Sequence, residues 1–344
     1  MFRDCVDLER VNMKLLRLRN MNRMFQNCPI LGEVRFPHTK SQFQNVRCNL
    51  PNVVTAIEAF YNCLELVDFG ATIMPKLEDG SHMFQNCREL AQIETDFPAL
   101  INGEQMYDGC SSLTQFAEYT NTLFPLLTNG RRMFKNCTEL LFTDISDASF
   151  PKLEDGFATF EGCSKITSIP CKFLNVRCAR QMFFKTNIGG HLDLDMPTYF
   201  PNVSTSSISG GEYPVAYMFG SCPITSINFD VSSLDNGISM FNGCTSLTTC
   251  TGAVFKTGGN YQNMLDHARF DRTSADIILQ AAISAKVFAL HIGMNITYKT
   301  DEFKSTYGFT NLLDADYNPV ENQWIMTITD DSGESVGTVV VVWN

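Results

Sequence analysis

Hydrophobic and polar positions along this chain fall into one recurring pattern. Met83-Phe84 is followed after two residues by Cys87, then at three-residue steps by Leu90 and Ile93. Close copies are Met24-Phe25…Cys28…Leu31…Val34, Met133-Phe134…Cys137…Leu140 and Met240-Phe241…Cys244…Leu247, and looser ones centre on Cys63, Cys110 and Cys163. A second half lies upstream: an apolar residue, proline, one more residue, then Leu or Val. Examples are Leu50-Pro51-Asn52-Val53, Met74-Pro75-Lys76-Leu77, Phe97-Pro98-Ala99-Leu100, Phe124-Pro125-Leu126-Leu127 and Phe150-Pro151-Lys152-Leu153. From that Leu or Val to the Met position the count is six, as from Val53 to Ala59, Leu77 to Met83, Leu100 to Met106 and Leu127 to Met133. Spacing this regular means one backbone shape is being stacked.

The elements follow from the spacing. Apolar residues at i, i+1 and i+4 in the Met-Phe…Cys half suit a helical turn or two burying one face. The Leu-x-x-Ile half reads as a short strand with its apolar residues inward. Proline fits the return corner, where no ladder donor is needed. The cysteine position steps through Cys5, Cys28, Cys63, Cys87, Cys110, Cys137, Cys163, Thr186, Cys222, Cys244 and Ala268, mostly at intervals of 22–27 residues. One unit cannot bury such a face alone, so the units must stack.

These motifs resemble the BspA-type leucine-rich repeats, including the related Met-Phe…Cys repeats of many bacterial surface proteins, over residues 1–270. The resemblance implies a right-handed solenoid with a strand-lined face and short helices on the other. It also implies binding or scaffolding, with no catalytic residues to carry over. The expected fold is therefore an α/β solenoid, a right-handed leucine-rich-repeat superhelix of about eleven rungs, with a small α+β C-terminal cap over 271–344. Rungs about 4.8 Å apart would make a body on the order of 50 Å long.

Beyond Cys244 the pattern fades. Thr273-Ser274-Ala275-Asp276 precedes Ile277, Ile278, Leu279, Ala282 and Ile283, which reads as an N-capped amphipathic helix. Two strand-like runs, Trp324–Thr329 and Val336–Trp343, flank Asp330-Asp331-Ser332-Gly333 and predict a hairpin. Leu290-His291-Ile292-Gly293, Thr300-Asp301-Glu302 and Trp324-Ile325-Met326-Thr327 resemble the terminal segment of BspA-like proteins from gut bacteria and their phages. The stretch Leu312–Asn322 departs from it.

Charge narrows the partners. The 344 residues carry a net charge of −11 with only 18% charged residues, which argues against nucleic acid. No run of 18 apolar residues predicts a membrane span, and residues 1–20 do not read as a signal peptide. The first copy starts in mid-repeat at Met1-Phe2…Cys5, so either a neighbouring chain or domain covers that end or it is a natural, ragged cap. Residues 1–50 hold nine Lys/Arg against four Asp/Glu; this is an ordinary solvated end or a basic face for an acidic neighbour. Two copies carry insertions, around 38–43 and over 204–214, that read either as tolerated decoration or as binding loops. The second is Ser/Gly-rich, and Tyr213, Tyr217, Ser207 and Glu212 are its candidate binding residues.

Catalytic and metal chemistry are not encoded. Nine of the thirteen cysteines share the repeat position, Cys250 takes the inner strand position, and only Cys48, Cys171 and Cys178 lie outside the pattern. A column of reduced core thiols accounts for the spacing, and on that reading Cys87→Ser buries a hydroxyl without a partner. There is no Cys-x-x-Cys, and the five histidines are scattered. Asn136-Cys137-Thr138 lies inside the buried motif, so it and the two other glycosylation sequons read as chance. Expected cofactors and metals are none. The expected role is non-enzymatic: a bacteriophage virion component (tail-fibre, baseplate or head-fibre protein), with a bacterial cell-surface adhesin fragment as the alternative. Partners would be proteins of that assembly or a host surface glycan or protein, with oligomerisation open.

Overall fold

The computed structural model describes residues 1–35, 46–94, 97–116, 124–141, 149–203, 213–294, 316–318, 323–329 and 334–343. They form two compact units, Met1–Val176 and Arg177–Asn344.

In the first unit the Met-Phe…Cys half is a tight turn, not the helix that the apolar spacing and the family resemblance led us to expect. Its amides alternate in destination. In the copy around Met83, the N–H groups of Met83, Gln85 and Cys87 donate three residues back, to the carbonyls of Gly80, His82 and Phe84. The N–H groups of Gly80, His82, Phe84 and Asn86 instead donate to Asn102, Glu104, Met106 and Asp108 of the next copy, at 2.8–3.0 Å. An α-helix would use all of these donors internally. Here half of them bind the stack together, and every donor still has a partner. The alternation requires left-handed residues at His82 (φ 56°) and Asn86 (φ 64°), and the same pair recurs at Glu58/Asn62, Gln105/Gly109, Arg132/Asn136 and Ala158/Gly162.

That backbone explains a sequence signal the hydrophobic pattern misses. The residue just before the cysteine position is Asp4, Asn27, Asn62, Asn86, Gly109, Asn136 or Gly162 in the first unit, and all have positive φ. Gly, Asn and Asp tolerate this region at least cost. Consecutive ones also bond along the stack: Asn86 Nδ2 donates to Asn62 Oδ1 (2.8 Å), Asn62 to Asn27 (3.1 Å) and Asn27 to Asp4 (2.8 Å). At Gly109 a Cβ would stand 2.7 Å from Asn86 Oδ1.

The Leu-x-x-Ile half forms the expected short strands in the copies of Cys5, Cys28, Cys63, Cys87 and Cys110, whereas Ile166–Ile169 forms none and leaves Ile169 half-buried. β1 (Arg10–Asn12), β2 (Glu33–Arg35), β3 (Val46–Asn49), β4 (Asp68–Ile73), β5 (Gln92–Glu94) and β6 (Gln115–Phe116) form a parallel sheet in the order β1-β2-β4-β5-β6, with β3 beside β4. Val11 pairs with Val34, and Ile93 with Phe116. Proline sits at the first position inside the return turn, closed by bonds such as Val53 N to Leu50 O and Leu77 N to Met74 O (3.3 Å each). Parallel bridges then run Asn20–Thr55–Asp79–Asn102–Asn129–Asp155.

Side chains between these ladders stack in columns. Phe2, Phe25, Phe60, Phe84, Tyr107, Phe134 and Phe160 lie ring on ring at 5.3–5.8 Å, within 13° of parallel. Phe97, Phe124, Phe150 and Phe173 make a second column at the proline corner. The Met, Cys, Leu and Leu/Val positions from Leu50 to Leu153 are fully buried. Such burial stabilises by about 1.5–3 kcal/mol per large apolar side chain.

The second unit repeats the turn at Tyr217/Ser221, Ser239/Gly243 and Asn263/His267, all with positive φ. Its strands β7 (Gly190–Asp195), β8 (Ile224–Val231) and β9 (Thr249–Phe255) form a parallel sheet, with α1 (Met196–Tyr199) following β7. Cys250 is buried in register with Ile227, in the inner position expected of it. β10 (Asn260–Phe270) leads into α2 (Arg272–Ser284), capped by Asp271, whose Oδ1 accepts from Ser274 N at 2.8 Å. The cap thus lies two residues before Thr273, where the sequence reading began the capping segment. It buries Ala275, Ile278, Leu279, Ala282 and Ile283. β11 (Ala289–Met294), β12 (Asp316–Asn318), β13 (Gln323–Thr329) and β14 (Ser335–Trp343) complete a second sheet in the order β10-β11-β14-β13-β12. The hairpin partners β13 and β14 pair antiparallel, while β14 runs parallel to β11.

Candidate functional site

The cysteine column carries a specific bond in addition to its apolar packing. Each thiol donates to the carbonyl of the phenylalanine or tyrosine one copy earlier: Cys63 to Phe25, Cys87 to Phe60, Cys110 to Phe84 and Cys137 to Tyr107 at 3.1 Å, and Cys163 to Phe134 at 3.0 Å. Cys222 and Cys244 do the same to Phe183 (3.2 Å) and Phe219 (3.1 Å). The carbonyls of Phe60, Phe84, Tyr107, Phe134 and Phe219 already accept an amide three residues on, so there the thiol fills the second lone pair. Thr186 shows that a hydroxyl can stand in the column; unlike the thiols it donates within its own copy, three residues back to Phe183 O at 2.9 Å. At Cys87 the thiol's own acceptor, Phe60 O, lies 3.1 Å away, so a serine hydroxyl there has a carbonyl beside it, against the expectation of an unpartnered buried group.

Burial makes these thiols inert. It pushes Cys63 and Cys244 up to about 12 and Cys222 to about 11, and it raises Cys87, Cys110, Cys137 and Cys163 as well. The thiolate is the nucleophile and the metal ligand, and here it is suppressed. The twelve cysteines with described side chains are all free. Among the described residues no group of three His, Cys, Asp or Glu is placed to hold a metal ion.

The outward side chains of the turns form polar links between copies. Arg23 Nε meets Glu58 at 2.8 Å, and Gln26 Nε2 donates to the same carboxylate. His82 Nδ1 pairs with Gln85 Oε1 (2.8 Å), and Gln85 and Gln105 both donate to Asp108 Oδ2. Burial raises the Asp108 carboxyl, against the two glutamine donors and the nearby Lys135 and Arg132. Arg131 bridges Glu104 and Asp155 and lies over the Phe157 ring at 4.6 Å; Lys135 pairs with Glu161. On β7 and β8, Asp193 Oδ1 accepts from Asn228 Nδ2 (3.1 Å) and faces His191 Nε2 (3.2 Å), while His191 Nδ1 pairs with Ser226. His291 lies 3.7 Å from Asp266; burial lowers the imidazole and raises the carboxyl, favouring the neutral forms. Ser226, His191 and Asp193 thus place a hydroxyl, an imidazole and a carboxylate in line on strands β7 and β8, where His191 and Asp193 are exposed; the other contacts link neighbouring side chains.

Of the candidate binding residues, Tyr213 and Tyr217 are both half-buried on one repeat turn, whose Ala216 N donates to Tyr213 O. Tyr217 holds a left-handed position and meets the Phe184 ring edge-on at 6.2 Å. Ser207 and Glu212 lie outside the described residues, as does the insertion around 38–43. Asn136 is exposed on its turn, so the first sequon is not in the buried part of the motif.

A family model described as the BspA type leucine rich repeat region matches in six copies, over residues 45–167, 80–195 and 199–257. The chain belongs to the BspA-type leucine-rich-repeat family. No curated protein and no solved structure matches it. As a BspA-type repeat protein it belongs to a family of protein-interaction repeats that are typically non-enzymatic. No helix among the described residues is long and apolar enough to cross a membrane.

Proposed function

We propose that this BspA-type chain is a non-enzymatic binding or structural protein that presents a rigid repeat surface to another macromolecule. The observation that carries this is the division of labour within each copy. Inner Met, Phe, Cys and Leu positions are fixed by the ladders, while turn positions such as Arg23, Glu58, His82, Gln105 and Arg132 change character from copy to copy. On this reading about eleven rungs form a right-handed superhelix over 1–270, closed by an α+β cap over 271–344.

Two settings fit. In one the chain is a bacteriophage virion component recognising a host receptor or a neighbouring subunit, supported by the resemblance of its terminal segment to phage-associated proteins. In the other it is part of a bacterial cell-surface adhesin, supported by its family, whose members are often surface-associated. Binding of the labelled chain to intact gut bacterial cells, with capsular glycans as competitors, tests the shared reading. Saturable, strain-selective binding that Tyr213→Ala weakens would place a recognition site on the Tyr213–Tyr217 turn. Absence of binding to every strain would overturn receptor recognition in favour of an internal structural part.

A further inference from the structure

Four Asn-Gly pairs occur in the chain: Asn102-Gly103, Asn129-Gly130, Asn236-Gly237 and Asn242-Gly243. Asn-Gly is chemically the most fragile asparagine context, because the glycine amide has no neighbouring Cβ to shield it. At Gly103 and Gly130 packing holds the glycine in place. A Cβ at Gly103 would stand 3.0 Å from Met133 Sδ, and one at Gly130 2.8 Å from Leu153 Cδ1.

The hydrogen bonds divide the four sites. Asn129 Nδ2 donates to Asn102 Oδ1 (2.9 Å), and Asn102 Nδ2 donates to Asp79 Oδ1 (3.2 Å). Each side-chain oxygen also accepts an amide two residues on, from Arg131 N and Glu104 N. The attacking amides are tied as well, Gly103 N to Asn129 O and Gly130 N to Asp155 O, both at 2.9 Å. Asn236 keeps only the oxygen bond, from Ile238 N, and Gly237 N donates to Asn260 O. The half-buried Asn242 side chain has no hydrogen-bond partner among the described residues, and its Gly243 N has the longest amide bond of the four, 3.2 Å to Asp266 O.

We infer that Asn242 is the site at which the folded chain deamidates, and that the side-chain amide ladder protects Asn102 and Asn129. In the reaction Gly243 N bonds to Asn242 Cγ, the Cγ–Nδ2 bond breaks, and the glycine proton leaves with Nδ2 as ammonia. Water then opens the succinimide at either carbonyl, giving aspartate or isoaspartate. Isoaspartate adds a carbon to the main chain and displaces the Asn242 carbonyl that accepts from Ser221 N at 3.0 Å. At Asn129 the same change would face a carboxylate toward Asn102 Oδ1 across 2.9 Å, two acceptors where a donor is required.

The four sites control one another. The whole folded chain is aged at mildly alkaline pH and each site is followed by peptide mass spectrometry, with a denatured sample in parallel. Deamidation at Asn102 and Asn129 is expected to be slower than at Asn242 by on the order of 10-fold or more, since a rung corner must first open, with Asn236 between them. In denaturant the four rates converge. Asp79→Ala, which removes the acceptor of Asn102 Nδ2, is expected to raise the folded-state rate at Asn102 several-fold and leave Asn129 unchanged. Equal rates at all four sites in the folded chain, or Asn102 or Asn129 leading, would overturn the inference. If Asp79→Ala does not fold, the unsubstituted comparison still decides.

Discussion

Replacing Cys87 by serine and by alanine separates a purely apolar thiol column from one that also donates. Cys87 is fully buried, and its sulfur lies 3.1 Å from Phe60 O. Alanine removes a sulfur worth about 1 kcal/mol of burial and leaves a cavity that brings the expected loss to about 2–3 kcal/mol. Serine has a shorter bond to its oxygen and buries less apolar surface, but its hydroxyl inherits the Phe60 carbonyl. A satisfied hydroxyl adds back about 1 kcal/mol, whereas an orphaned one would cost about 1–3 kcal/mol more. The expected order is therefore wild type, then serine, then alanine, with serine losing about 1–2 kcal/mol. Urea unfolding followed by circular dichroism reads the difference, and for a unit of this size each kcal/mol moves the melting temperature by about 2–4 °C. A serine variant less stable than the alanine variant would refute the donor role and return the column to simple packing.

The same thiols set an alkaline limit. Cys63 rises from the ordinary 9.0 to about 12 when folded, so the folded chain holds that proton more tightly than the unfolded chain. Its contribution is complete below the unfolded value and disappears as pH climbs toward the folded one, at about 1.4 kcal/mol per pH unit. Several buried thiols shift the same way, so the urea midpoint should fall steeply between about pH 9 and about pH 11; a flat profile would contradict their burial. Gly109→Ala should cost about 1–2 kcal/mol from its left-handed backbone alone, with more from the approach to Asn86 Oδ1 at 2.7 Å. Thermal unfolding checks this, and a neutral substitution would mean the turn relaxes.

The sequence by itself determined the repeat, its register and its inner face. A fixed spacing of bulky apolar residues can be buried only by stacking like on like, so Met83, Phe84, Cys87, Leu90 and Ile93 were legible as one rung and Pro75 as its corner. The strand half was legible for the same reason, and so were the α2 helix and the β13–β14 hairpin. The turn was not. Apolar residues at i, i+1 and i+4 are shared by a helix and by a turn that alternates its amides between itself and the next copy. What decides between them is where the N–H groups find acceptors, and those lie more than twenty residues away in the chain. The left-handed Asn or Gly before most of the repeat cysteines was the local sign of that choice, visible in sequence but without meaning until the backbone gave it a positive φ. The thiol-to-carbonyl bonds likewise belong to neighbouring copies, so composition could place Cys87 in the core but not show what its proton does. The surface chemistry, from His82–Gln85–Asp108 to His191–Asp193–Asn228, is assembled across copies and was decided only when the ladders brought those side chains together.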